Sequence, residues 1–67
     1  MTVGTKMQET IATAESVMAN LKTFALETQD QNAKQVFNTL AQTQKTIIDS
    51  LTNRLQFIQS EEPQFKE

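Results

Sequence analysis

Carboxylates are the side chains of this sequence most capable of chemistry, because it contains no His, Cys, Trp or Tyr. Without His and Cys there is no imidazole base, no thiolate nucleophile and no nitrogen or sulfur ligand for a metal. Catalysis by paired carboxylates has no candidate either, since Glu9 and Glu15 are six positions apart. The adjacent Glu61 and Glu62 indicate a solvated acidic end. We therefore predict no catalytic residue, no cofactor and no metal site, and we expect that the protein is not an enzyme.

The charges are few and dispersed along the chain. Six Lys plus Arg against eight Asp plus Glu give a net charge of −2, and the basic residues form no stripe. We therefore expect no nucleic-acid partner. No apolar run approaches the roughly 20 residues that cross a bilayer, and the N-terminus lacks the apolar core of a signal peptide. These features predict a cytoplasmic protein without direct membrane insertion.

Apolar residues in the first half of the chain recur with a helical period. Their intervals alternate between four and three residues, which is the spacing of a heptad seam. In order, the series is Met7, Ile11, Ala14, Met18, Leu21 and Ala25. Val17 and Phe24 widen the stripe on one flank, so it is broader than a single partner helix requires.

A polar stretch at 27–32 separates this stripe from a second one and predicts a short interhelical turn. Either Thr28 or Asp30 is expected to cap the second helix, and the sequence does not decide between them. Asp30 also precedes Lys34 by four residues, in the order that favours a helical ion pair.

The second stripe changes its spacing along its length. It runs through Ala33, Phe37, Leu40, Gln44, Ile47, Leu51, Leu55 and Ile58, with Val36, Ala41 and Ile48 beside it. Its last intervals are four, four and three residues, which predict a stutter. Pro63 should end the helix, because proline lacks the backbone N–H and disfavours helical geometry before it. The predicted elements are a helix at about 4–27, a turn at about 28–31, a helix at about 32–61 and a tail at 62–67.

These elements predict an all-α fold, a long antiparallel helical hairpin that pairs with a second copy. The stripes are too wide for one partner helix to cover, so we predict a homodimeric four-helix bundle. A monomeric hairpin or a three-helix fold that uses the tail is the alternative. The predicted core and dimer seam comprises Met7, Ile11, Met18, Leu21, Phe24, Phe37, Leu40, Gln44, Ile47, Leu51, Leu55 and Ile58.

Two residues in this pattern suggest specific roles. Gln44 interrupts the second stripe, where a hydrogen-bonded buried amide could fix the register of the helices. Its expected partners are the same residue of a second copy or Thr43 of a neighbour; alternatively, the stutter turns Gln44 toward solvent. Phe65 in the charged tail is a candidate contact for a partner protein, or it packs over the end of the helix.

Four segments of the sequence resemble a known family. They are Met-Thr-Val-Gly-Thr (1–5), Leu-Lys-Thr-Phe-Ala-Leu-Glu-Thr-Gln-Asp (21–30), Ala-Lys-Gln-Val-Phe (33–37) and Glu-Glu-Pro-Gln-Phe-Lys (61–66). Together they resemble the short proteins of spore-forming bacteria catalogued as domain-of-unknown-function family 1657, whose genes often neighbour those of spore membrane-channel components. The resemblance implies a small protein of the mother cell, forespore or spore core that is linked to sporulation. It supplies no functional residues.

A shorter stretch is similar to the second helix of a ferritin-like hairpin of the rubrerythrin type. The stretch begins at Phe37, and that family binds iron through a Glu and a His at the places held here by Gln44 and Ile47. The carboxylate of the preceding helix would correspond to Val17. None of these three side chains is a metal ligand, so the resemblance implies the scaffold without its di-iron site.

Two functions follow from these observations. The first is a non-enzymatic structural or interaction protein associated with sporulation, whose partners are itself and a spore membrane or spore-coat protein. The alternative is a helical bundle that binds a small ligand or an ion and works with spore membrane-channel components.

Overall fold

The computed structural model describes residues 2–61, which form two α-helices. Helix α1 spans Val3–Glu27 and helix α2 spans Gln31–Glu61, so each begins one residue before its expected start. The helices pack against each other along their lengths in opposite directions, and the described part of the chain contains no strand. The predicted all-α antiparallel hairpin is confirmed, while the dimeric four-helix bundle stays a prediction.

Side-chain oxygens cap the beginning of both helices. The Thr2 hydroxyl accepts a hydrogen bond from the Thr5 amide at 3.3 Å and so serves as the N-cap of α1. At α2, one carboxylate oxygen of Asp30 accepts from the amides of Asn32 at 2.9 Å and Ala33 at 3.4 Å. Asp30 is therefore the N-cap that the sequence left undecided.

Thr28 belongs instead to the end of α1. Its amide donates to the Phe24 carbonyl at 3.0 Å, and its hydroxyl accepts from the Asp30 amide at 3.3 Å. The Lys34 ammonium also reaches α1, donating to the Ala25 carbonyl at 2.6 Å. A cation is favourable there because carbonyls at a helix C-terminus lack intrahelical partners. This contact replaces the expected ion pair with Asp30 and joins the helices beside the turn.

Small residues form the closest part of the interface between α1 and α2. Gly4, Ala14, Ala25 and Ala41 are buried, and Ile48 is the one large side chain that is buried among residues 2–61. No side chain in that range is fully buried, since each helix has only one partner. The hairpin alone therefore has a thin core.

The least exposed residues of both helices follow an unbroken heptad, which defines the interhelical seam. In α1 the seam is Gly4, Met7, Ile11, Ala14, Met18, Leu21 and Ala25, and in α2 it is Phe37, Ala41, Gln44, Ile48, Leu51, Leu55 and Ile58. The intervals alternate between three and four residues throughout, so the expected stutter is not formed. Straight antiparallel helices stay in contact when both keep the same period.

Three of the residues predicted for the seam lie outside it within this chain. Leu40 and Ile47 are 44% and 45% exposed, because Ala41 and Ile48 take the inward positions next to them. Phe24 is 47% exposed and flanks the seam. The other nine predicted residues are half-buried between the helices. Burial of the three exposed residues in a dimer stays a prediction.

Exposed hydroxyl side chains along α1 bond to their own helix. The hydroxyls of Thr10, Thr13, Ser16 and Thr23 each donate to the carbonyl four residues earlier, at 2.8–3.3 Å. Thr46 makes the same contact on α2 at 3.4 Å. Such bonds satisfy the hydroxyl protons without a second element.

Candidate interaction surface

Gln44 joins the two helices near the middle of the seam. The side chain is half-buried, and its amide nitrogen donates to the backbone carbonyl of Ala14 at 3.0 Å. The inward orientation expected for a buried seam amide is therefore present, but its partner lies in the same chain. Because Ala14 has no bulky side chain, the amide can reach the α1 backbone. The contact sets the register of α2 against α1.

Replacement of Gln44 by leucine is expected to raise the free energy of unfolding by about 0.5–1 kcal/mol. The Ala14 carbonyl keeps its ordinary helical donor at Met18, so no buried acceptor loses its last partner. Leucine adds apolar area to the seam at similar volume. Urea denaturation of Gln44→Leu should show the gain, with exposed Gln42→Leu as the control. A loss of stability in Gln44→Leu alone would contradict this balance.

Exposed apolar residues gather on one side of the hairpin. Val3, Val17 and Phe24 directly precede seam residues of α1, and Leu40 and Ile47 do the same in α2. In an antiparallel pair of helices, the residues directly before these seam residues lie on the same side of the pair. Val36 and Phe57 lie next to this flank on α2 and are 55% and 52% exposed. We call these seven residues the apolar side.

The apolar side includes nearly all the exposed large apolar residues. Eight such side chains are present in residues 2–61, and only Leu26 lies elsewhere. Several exposed apolar residues on one side of a small protein are typical of an interaction site, whereas single exposed residues are ordinary. This side is the candidate functional surface of the chain.

Two aromatic contacts organise the ends of the apolar side. Near the turn, the rings of Phe24 and Phe37 are 5.4 Å apart between centroids and tilted by 55°. Near the open end, the Arg54 guanidinium lies 5.3 Å from the centre of the Phe57 ring. Both arrangements hold aromatic side chains in defined positions at the surface. The apolar side thus has one aromatic contact near each of its ends.

The opposite side of the hairpin is polar. A shallow depression there is lined by Lys22 of α1 and by Asn38, Gln42 and Lys45 of α2. Lys45 pairs with Asp49 at 3.3 Å, one turn further along the helix. Both side chains are more than half exposed, so the pair adds little stability. The hairpin therefore has one apolar and one polar flank.

The positions that correspond to metal ligands in the ferritin-like resemblance do not converge. Gln44 lies in the seam and is bonded to Ala14, whereas Val17 and Ile47 are 43% and 45% exposed on the apolar side. In residues 2–61, no three acidic side chains are grouped closely enough to hold a metal ion. That the protein binds no metal and no cofactor stays a prediction.

Sequence reasoning missed the inward roles of Ala41 and Ile48. The available signal was the three- and four-residue spacing that links them to Phe37 and Gln44. Phe65 and the rest of the predicted tail lie outside the described residues, and so does Pro63. Neither α1 nor α2 has the combination of length and apolar character that a membrane-spanning helix requires.

The fold is a two-helix antiparallel hairpin with exposed apolar residues on one side. The family model described as protein of unknown function (DUF1657) matches residues 7–55. Because this match covers most of the chain, the protein belongs to that family. Comparison with curated proteins and with solved structures gave no match. The resemblance to domain-of-unknown-function family 1657 is thereby confirmed.

Proposed function

We propose that the protein is a non-enzymatic interaction protein that acts as a homodimer. Two hairpins pack through their apolar sides into a four-helix bundle. The observation that carries this proposal is the clustering of Val17, Phe24, Leu40 and Ile47 with their neighbours on one flank, each more than two-fifths exposed.

The thin core of the hairpin supports pairing with a second chain. A small domain buries a modest fraction of its surface and commonly needs a disulfide, a metal or a partner for stability. The sequence has no Cys, and its interhelical seam contains no fully buried side chain among residues 2–61. A second copy supplies an apolar surface of the same kind. In a two-fold dimer the two apolar sides cover each other, so no third copy is needed.

The proposed setting is the cytoplasm of a spore-forming cell, in the mother cell, forespore or spore core. Support for it comes from the family resemblance, since members belong to spore-forming bacteria. The dimer would use its outer faces to contact a spore membrane or spore-coat protein. These faces carry threonine, glutamine and dispersed charges, which suit a polar protein interface.

Sedimentation equilibrium of the full chain tests the assembly. We expect the mass of two chains at micromolar concentration, with dissociation on dilution. Sedimentation as one chain throughout that range would reject the homodimer. Deletion of the gene in a spore-forming host tests the setting separately: we expect a change in spore yield or heat resistance. Unchanged spores would reject the sporulation role and leave the assembly intact.

The ligand-binding alternative receives no specific support from the seam. Gln44 is the polar residue that suggested it, and its amide nitrogen is already bonded to the Ala14 carbonyl. Small-ligand or ion binding together with spore membrane-channel components therefore stays a secondary hypothesis.

A further inference from the structure

We infer that the two hairpins of the dimer dock in opposite directions, so that Glu27 of each chain lies against Lys6 of the partner. This inference rests on the proposed homodimer and specifies how its apolar sides meet. The observations that carry it are the register of α1 against α2 and the unequal charges at the ends of the apolar side.

Two hydrogen bonds fix the register within one hairpin. Gln44 bonds to Ala14, and Lys34 bonds to Ala25. A residue of α1 and a residue of α2 therefore lie at the same height along the hairpin when their residue numbers add to about 58 or 59. Lys6 is consequently within about 3 Å of the height of Arg54, near the open end. Glu27 lies at the other end, beside the turn.

The apolar side therefore has a basic end and an acidic end. Lys6 and Glu27 are separated by 21 positions in α1, a whole number of heptads, so they project in the same direction beside the apolar side. Their axial separation is about 32 Å at helical rise. Arg54 directly precedes the seam residue Leu55 and adds a second positive charge at the basic end.

Two closed arrangements can bring the apolar sides of identical hairpins together. If the two turns lie at the same end, α1 of one chain packs against α2 of the other. Lys6 then faces Arg54 of the partner, and two like-charge contacts arise. If the turns lie at opposite ends, α1 packs against α1, and Lys6 faces Glu27 of the partner twice. Opposite charges favour the second arrangement.

The apolar residues fit the same two-fold axis. The midpoint between Lys6 and Glu27 falls beside Val17, which would contact Val17 of the partner. In α2, the midpoint between Leu40 and Ile47 lies about 1.5–3 Å from the same height, given the register and the helical rise. Leu40 of one chain would therefore contact Ile47 of the other. Charge pairing and apolar pairing thus select one axis.

A distance between the two turns distinguishes the arrangements. The chain has no Cys, so Gln29→Cys in the exposed turn places a single nitroxide label on each subunit. Opposed hairpins predict an interlabel distance above about 35 Å by pulsed electron paramagnetic resonance, whereas hairpins with turns together predict less than about 25 Å. The short distance would overturn the inference and keep the homodimer. Absence of any distance between subunits would reject the homodimer itself.

Charge reversal gives an independent readout. Lys6→Glu and Glu27→Lys should each weaken the dimer by about tenfold, and the double variant should regain most of the lost affinity. Each reversal favours the dipole of its own helix end, so a weaker dimer would not reflect damage to the helix. Glu15→Lys on the polar flank is the matched control and should leave affinity unchanged. A tighter dimer in Lys6→Glu would indicate that the substitution removes repulsion between Lys6 and Arg54 of the partner, and it would overturn the inference. Unchanged affinity in both single variants would also overturn it.

Discussion

Ile48→Ala is expected to lower the free energy of unfolding by about 2–3 kcal/mol. Ile48 is only 8% exposed. Among the buried residues of the described range 2–61, it has the largest side chain. Alanine would remove apolar contacts and leave a space that two regular helices cannot readily close. The loss is a large fraction of the stability of a chain this small. Urea denaturation at one fixed protein concentration measures it, because association contributes to apparent stability.

Leu26→Ala is the matched control for this substitution. It removes the same number of carbon atoms from α1, but Leu26 is 81% exposed and lies off both the seam and the apolar side. We expect a change within about 0.5 kcal/mol. Equal losses in the two variants would show that the inward face of the hairpin has been assigned incorrectly.

Leu40→Lys combined with Ile47→Lys is expected to weaken the dimer by about 1,000-fold. The two side chains are 44% and 45% exposed in the hairpin, so a partner has about half of each left to cover. Covering half of such a side chain contributes about 1 kcal/mol, and the dimer contains four of them. Buried ammonium groups would oppose association further. Sedimentation should detect single chains at concentrations where the parent protein is dimeric.

Thr39→Lys combined with Thr46→Lys provides the control for charge and helix propensity. These exposed residues directly precede Leu40 and Ile47, and they project away from both the seam and the apolar side. The control should remain dimeric at the same concentrations. If the Leu40 and Ile47 variant also remains dimeric, the apolar side is not the surface through which copies associate.

The helical hairpin could be predicted because several local signals agree. Apolar residues recur with a helical period on both sides of one polar stretch, and breakers are confined to Gly4 and Pro63. A period of this kind identifies an amphipathic helix without knowledge of its partner. The choice between Thr28 and Asp30 as cap needed the structure, because both residue types can accept hydrogen bonds from the amides of a first turn.

The inward face of α2 could not be predicted from residue size. Leu40 stands next to Ala41, and Ile47 next to Ile48, so the apolar stripe is wide enough to allow two orientations of the helix. Larger side chains suggested Leu40 for the seam, but the hairpin places Ala41 there at 4% exposure. Ile47 and Ile48 are the same residue type, so side-chain size cannot decide which of them faces inward.

For the same reason, the residues of the apolar side could not be identified from the sequence. A wide stripe predicts that more than one neighbour is needed, but it does not say which residues face which neighbour. The bond from Gln44 to Ala14 shows which face of α2 points toward α1 and thereby distinguishes the seam from the apolar side. That bond depends on a backbone carbonyl of another helix, which no local sequence pattern encodes.

The exposed hydroxyl groups along α1 limit which groups can bind at their positions. Thr10, Thr13, Ser16 and Thr23 each give their single proton to a carbonyl of α1. These positions therefore offer a binding partner only the lone pairs of the hydroxyl oxygens and the methyl groups of the three threonines. Their polarity is one-way: they can receive hydrogen bonds but have none to give. A partner that covers one of these positions must supply its own hydrogen-bond donors there or make contact with the methyl groups.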